Sequence, residues 1–124
     1  MQPFKLDAKG NQLLQIAERL AADTISKHAR DVDSAARFPR ENIEAMRKAG
    51  LLGLVSAAEV GGHGHGLRAA AAICERFARD CPSTAMITKM HYCGTAVIEA
   101  HGSKEVRKEI AAGKHLTTLA FSEY

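Results

Sequence analysis

Six histidines and three cysteines carry most of the reactive chemistry in this 124-residue chain, and their spacing limits what that chemistry is. His63 and His65 stand two apart in the run GGHGHG. A metal site needs three or four converging ligands, and no partner cluster accompanies these two, so no metal is expected. Nor is the run a dinucleotide fingerprint, because its glycines are wrongly spaced and no strand precedes them within a βαβ unit. It reads as a tight bend, in which Gly61, Gly62, Gly64 and Gly66 remove side chains where the backbone turns sharply or lies against another surface. Cys74, Cys81 and Cys93 are odd in number, form no CxxC pair and follow no signal peptide, which predicts reduced thiols in a cytoplasmic protein. Lys89 is a cation near Cys93, but burial would oppose a lowered thiol pKa, and an inert core thiol is expected there. Met86 and Met90, one helical turn apart, flank Lys89 and precede His91. They are either core filler, with Lys89 bending out to water, or one wall of a pocket. No residue is nominated as catalytic.

These groups must be positioned by helices. Leu13, Ile16, Ala17, Leu20, Ala21, Ile25, His28 and Val32 recur at three- and four-residue steps, which predicts an amphipathic helix from an N-cap at Asn11 to about Asp33. A short second helix follows over about residues 39–49, with Pro39 suited to its first turn and Gly50 to the left-handed position past its end. Beyond the glycine bend, Leu67 to about Arg79 forms a third helix with a small-residue face. Pro82 opens a fourth that reaches about His101 and is apolar nearly all round, as befits the middle of a bundle. Gly102 ends it, Ser103 caps a fifth helix of about 104–112, and Gly113 stops that one. From His115 to Ser122 the period changes to that of a strand.

The expected fold is therefore all-α, an orthogonal or up-down bundle of about five helices over residues 1–113. Residues 114–124 would supply the first strand of a β-domain. A lone terminal strand has no sheet to join, so the chain is expected to be a piece of a longer protein unless it pairs with another copy of itself. The composition agrees with a helical domain: 46% of residues are hydrophobic, 25% charged, and there is no Trp. A net charge of +3, with basic and acidic residues interleaved, does not indicate nucleic acid. Lys89, His91 and Glu99 break the longest apolar stretches before a bilayer could be spanned, so no membrane association is expected.

Several separated landmarks agree with one known pattern. FPRENIEAMRKAGLLGL, then AAEVGGHGHGL, then ICERFARDCPSTAM, then HGSKEVRKEIAAGKHLTTLAFSE together resemble the N-terminal helical domain of the acyl-CoA dehydrogenase family, in order and spacing, over essentially the whole chain. The resemblance implies a three-domain flavoprotein, usually a homotetramer, that binds FAD and an acyl-CoA thioester and oxidises the thioester across its α,β bond, with hydride passing to flavin N5. It implies that Leu119, Phe121 and Ser122 of the LAFSE segment face the isoalloxazine ring, with the Ser122 hydroxyl near N5. It also implies that Met86, Lys89, Met90, His91 and Cys93 of the fourth helix lie where the family lines its acyl pocket.

The family's glutamate base lies beyond the end of this sequence, so Glu123 is not assigned that role, and this chain alone is expected to be inactive and to hold FAD poorly. Ser56 stands near where relatives commonly have proline, which loosens the turn. A lysine and a histidine are unusual company for a long alkyl tail and favour a short, polar or aromatic substrate. Two other functions fit the same residues. Flavin monooxygenases on this scaffold often use a histidine and a serine near the flavin, which His91 and Ser122 match. A non-catalytic helical interaction domain would pair through its C-terminal strand.

Overall fold

A computed structural model describes residues 4–120 and residue 122. The first helix starts earlier than the Asn11 cap expected from the sequence. The Asp7 carboxylate accepts the Gly10 N–H at 2.7 Å and so satisfies one of the amides that a helix start leaves without a partner. Helix α1 spans Ala8–Leu20, and Gly10 lies buried within it. Helical backbone then continues through a π-turn at Ala21–Ile25, where the Ser26 N–H reaches back to the Ala21 carbonyl, into α2, Ser26–Ser34. Nothing in the sequence marks that π-turn.

Helix α3 covers Arg40–Lys48, with Pro39 at its cap. Gly50 follows at φ +75°, the left-handed conformation that reverses the chain after a helix. Two 3₁₀ turns, Leu51–Gly53 and Ala58–Val60, lead into the glycine bend. The bend folds back on the first of them: the His63, Gly64 and His65 amides donate to the carbonyls of Gly53, Ser56 and Leu54 at 2.8–2.9 Å. Helix α4 is Leu67–Ala78, α5 is Pro82–His101 with proline in its first turn, and α6 is Lys104–Ala111, capped by the Ser103 hydroxyl.

The architecture is the all-α bundle expected. Helix α4 packs on α1 on one side and along α5 on the other, while α3 and the Leu51–Gly53 turn close the end. Leu13, Ala17, Leu20, Ile25, Met46, Leu51, Leu52, Leu54, Ile73 and Phe77 fill the space between. Ala69, Ala70 and Ala72 give α4 the small face that allows its neighbours to approach. On the surface, Arg107 of α6 pairs with Glu99 of α5 at 2.7 Å and with Glu59 of the second 3₁₀ turn at 2.6 Å.

Two expectations are corrected. Among the described residues no strand forms: residues 114–120 run without a ladder, because a strand needs a neighbour for its N–H and C=O groups and none is present there. Nor does α5 sit in the middle of the bundle. Its buried stripe is Thr84, Ala85, Thr88, His91, Tyr92 and Thr95, while Met86 is 54% exposed and Val97 45%. The threonines bury without cost to hydrogen bonding because their hydroxyls turn back on the helix, Thr88 to the Thr84 carbonyl at 2.8 Å and Thr95 to the His91 carbonyl at 2.7 Å.

Core and surface apolar residues should separate cleanly by mutation. Phe77→Ala, at a fully buried position, is expected to lower the unfolding free energy by about 3–5 kcal/mol. Met86→Ala on the outer face should change it by no more than about 0.5 kcal/mol. Denaturant titration of both variants checks this, and equal losses would contradict the burial pattern.

Candidate functional site

Helix α5 has two chemically different faces. On the inner face, His91 is fully buried. Its Nε2 lies 2.8 Å from the Leu52 carbonyl oxygen, and its Nδ1 lies 3.2 Å from the Thr117 amide nitrogen. A carbonyl only accepts and a backbone amide only donates, so Nε2 carries the proton and Nδ1 the lone pair. The ring is thereby held as one neutral tautomer. Burial pushes its pKa below the ordinary 6.5, opposed in part by the bond to Leu52, and His115 lowers it further. Beside it, the Tyr92 hydroxyl donates to the Leu51 carbonyl at 2.9 Å, and complete burial holds that phenol well above its usual pKa.

On the outer face, two open hollows flank the helix. One, of about 410 Å³, lies between α4 and α5 and is lined by Leu67, Ala70, Ala71, Cys74, Lys89, Tyr92 and Cys93. The other, of about 310 Å³, is lined by Met86, Ile87 and Met90 of α5 with Phe38 and residues 116–118. Lys89 and Met86 are exposed, Met90 and Cys93 half-buried. Four of the five pocket residues expected from the sequence thus line hollows: Lys89 with Cys93 in the first, Met86 with Met90 in the second, and Lys89 with Met86 in a third of about 350 Å³ that adjoins the first. His91 lines none of them, because its ring points inward to backbone. Burial pushes the Cys74 thiol up to about 11, so it is not a thiolate at neutral pH.

The segment from residue 114 onward lies against α5. A Cβ added at Gly94 would come within 2.9 Å of the Thr118 carbonyl oxygen, so the absence of a side chain there is what allows this approach. Leu119 is half-buried and Ser122 exposed, whereas Phe121 lies outside the described residues. His63 turns its ring to the Gly50 carbonyl at 3.1 Å. Among the described residues no three His, Cys, Asp or Glu side chains converge as metal ligands would.

This order of helices and turns has a counterpart among known proteins: residues 8–113 match the acyl-CoA dehydrogenase N-terminal domain. The chain belongs to the acyl-CoA dehydrogenase family. It is 34% identical to a probable acyl-CoA dehydrogenase of Mycobacterium leprae, over 97% of this chain and 32% of that protein. A short-chain specific acyl-CoA dehydrogenase of Clostridium acetobutylicum is 27% identical over 97% of this chain and 31% of its own length. A 3-sulfinopropanoyl-CoA desulfinase of Paraburkholderia xenovorans is 30% identical over 88% of this chain and 28% of its own. The chain therefore spans about a third of the length of these relatives.

In this acyl-CoA dehydrogenase-family domain, sequence reasoning missed Leu67 and Cys74 as lining residues, although their spacing with Ala70 and Ala71 marks one face of α4. It also missed the hold of His91 and Tyr92 on the chain backbone. Periodicity identifies a buried histidine but not the carbonyl it meets.

His91 predicts a pH dependence whose sign follows from its depressed pKa. In the unfolded chain the ring takes up a proton near pH 6.5, while the folded ring resists until lower pH. The stability due to neutral His91 is therefore complete above 6.5 and is lost as pH falls from there towards the folded value. His91→Gln removes the titration and, by leaving buried backbone groups imperfectly paired, should cost about 1–3 kcal/mol at neutral pH. Melting curves should show the gap between wild type and variant narrowing as pH drops from about 7.5 to about 5. A constant gap would show that the ring does not titrate differently on folding.

Proposed function

We propose that this chain is the N-terminal wall of a flavoenzyme that binds FAD and dehydrogenates an acyl-CoA thioester across its α,β bond. The observation that carries the reading is the inverted burial of α5, which turns threonines and a histidine inward and presents Met86, Lys89, Met90, Cys93 and Val97 outward. A helix with an uncovered apolar face and adjoining hollows of a few hundred cubic ångströms suits one side of a small-molecule site that further protein completes. The relatives' names agree in chemistry, since all three act on or are named for acyl-CoA compounds, one of them bearing a 3-sulfino group.

In this reading Met86, Lys89, Met90 and Cys93 contact the acyl chain and exclude water from it. His91 contributes from behind by fixing the backbone at Leu52 and Thr117. Residues 114–120 fit a flat cofactor in one respect: they run close along α5 through Gly94, with Thr118 and Ala120 exposed and no ladder occupying the segment. Leu119, Phe121 and Ser122 would hold FAD there, the Ser122 hydroxyl donating a hydrogen bond to the ring system. Bound FAD supplies the hydride acceptor. The base that removes the α-proton comes from outside this chain, and the enzyme is read as a cytoplasmic homo-oligomer. No helix among the described residues is long and apolar enough to cross a membrane.

The monooxygenase alternative relied on His91 acting with Ser122 at the flavin. With both ring nitrogens engaged by backbone, no observation favours it. The interaction-domain alternative relied on pairing through a C-terminal strand, and no observation favours it.

The full-length protein carrying this chain should purify yellow, with the visible absorption of bound flavin. Adding a saturated acyl-CoA thioester under anaerobic conditions should bleach that absorption, with the enoyl thioester as product. A colourless protein, or a flavin indifferent to every thioester but reoxidised through a long-lived oxygen adduct, would overturn the dehydrogenase reading.

A further inference from the structure

Lys89 is the one Asp, Glu, Lys or Arg between Pro82 and Ile98. It stands on the outward apolar face of α5, and among the described residues no carboxylate lies within 4.0 Å of its ammonium. Two adjoining hollows along the α4–α5 groove, of about 410 and 350 Å³, share Lys89 and Cys74 in their walls. Leu67, 77% exposed, stands at one end and Met86 at the other. The one acid on the rim, Glu75, is already held by Arg79 at 2.7 Å. Among the described residues the groove is thus mostly apolar, with one positive charge in its wall that no carboxylate offsets.

Whatever covers this face of α5 takes the Lys89 ammonium out of water together with its neighbours. A covered ammonium without an anion is strongly unfavourable, whereas one paired to a carboxylate makes a charge-assisted hydrogen bond in a medium that strengthens it. A purely alkyl ligand fills the groove but leaves the charge bare. We propose that Lys89 receives the far end of an acyl chain that carries a compact anionic group, such as the free carboxylate of a dicarboxylic acid thioester. The assignment rests on the thioester reading above and makes Lys89 a specificity residue, not a catalytic one. Its Nζ–H groups donate to the anion while the apolar groove holds the methylenes between the anion and the thioester.

The test compares two thioesters of equal chain length in the full-length flavoenzyme, one ending in a methyl group and one in a carboxylate. Wild type should favour the carboxylate by roughly ten- to a hundredfold in kcat/KM, mostly through KM, as expected for a hydrogen bond to a charged group. Lys89→Met should erase that preference, Lys89→Glu should reverse it, and Lys89→Arg should keep it. Flavin content and melting temperature of each variant show that it is folded. A wild-type preference for the methyl-ended thioester would overturn the proposal and leave the dehydrogenase reading standing. So would equal losses on both thioesters in Lys89→Met, the pattern expected if an acid of the covering protein is the partner of Lys89. If neither thioester bleaches the flavin, both readings fall together.

Discussion

The chain reversal after α3 runs through the interior, and its carbonyls have to be satisfied there. Leu51, Leu52 and Leu54 are buried, which places polar backbone where water cannot reach it. Helix α5 supplies the donors, the Tyr92 hydroxyl to Leu51 and the His91 ring to Leu52. Each such bond is worth about 1 kcal/mol net, but an unmade one leaves a buried carbonyl at a cost of about 1–3 kcal/mol. The turn is therefore committed to one position on α5. The other nitrogen of the same imidazole then takes the Thr117 amide, so one side chain sets the spacing between the turn, the helix and the chain leaving the bundle.

From that constraint follows the orientation of α5. With His91 and Tyr92 directed inward, residues one or two turns away on the same face are also directed inward, among them Thr84, Thr88 and Thr95. The methionines, Lys89 and Cys93 are left to face outward or sideways. The polar inner face and apolar outer face are consequences of a single rotation, and the rotation is fixed by two hydrogen bonds to a neighbouring turn.

Much of the fold was legible in the residues because its boundaries are set by local chemistry. Gly50 adopts a positive φ after α3, Pro82 opens α5 and Ser103 caps α6, each for reasons visible in a few neighbouring residues. The start of α1 was misplaced because Asn11 and Asp7 are both competent caps, and only the position of the Gly10 amide decides between them. The site was less legible. An all-round apolar helix predicts burial on every side, and the sequence does not say whether the covering surface lies within the same 124 residues. Lys89 and His91 were grouped by the resemblance of their helix to the family's pocket wall, yet two residues along a helix point to different sides, one to the groove and one to the turn.

The π-turn at Ala21–Ile25 carries one residue more than ordinary winding would use for the same length. Each helical residue advances the side-chain direction by about 100°, so this surplus re-phases everything after it. Ile25 and Val32 reach the same core as Leu13 and Ala17 because of that offset. Winding the same residues as regular α-helix would swing the downstream half by about 100°, so that charged side chains such as Asp31 or Lys27 were driven towards the leucines, whereas removing one residue within the turn would relax it and keep the phase. A locally looser winding is thus what keeps the two halves of the rod in common register.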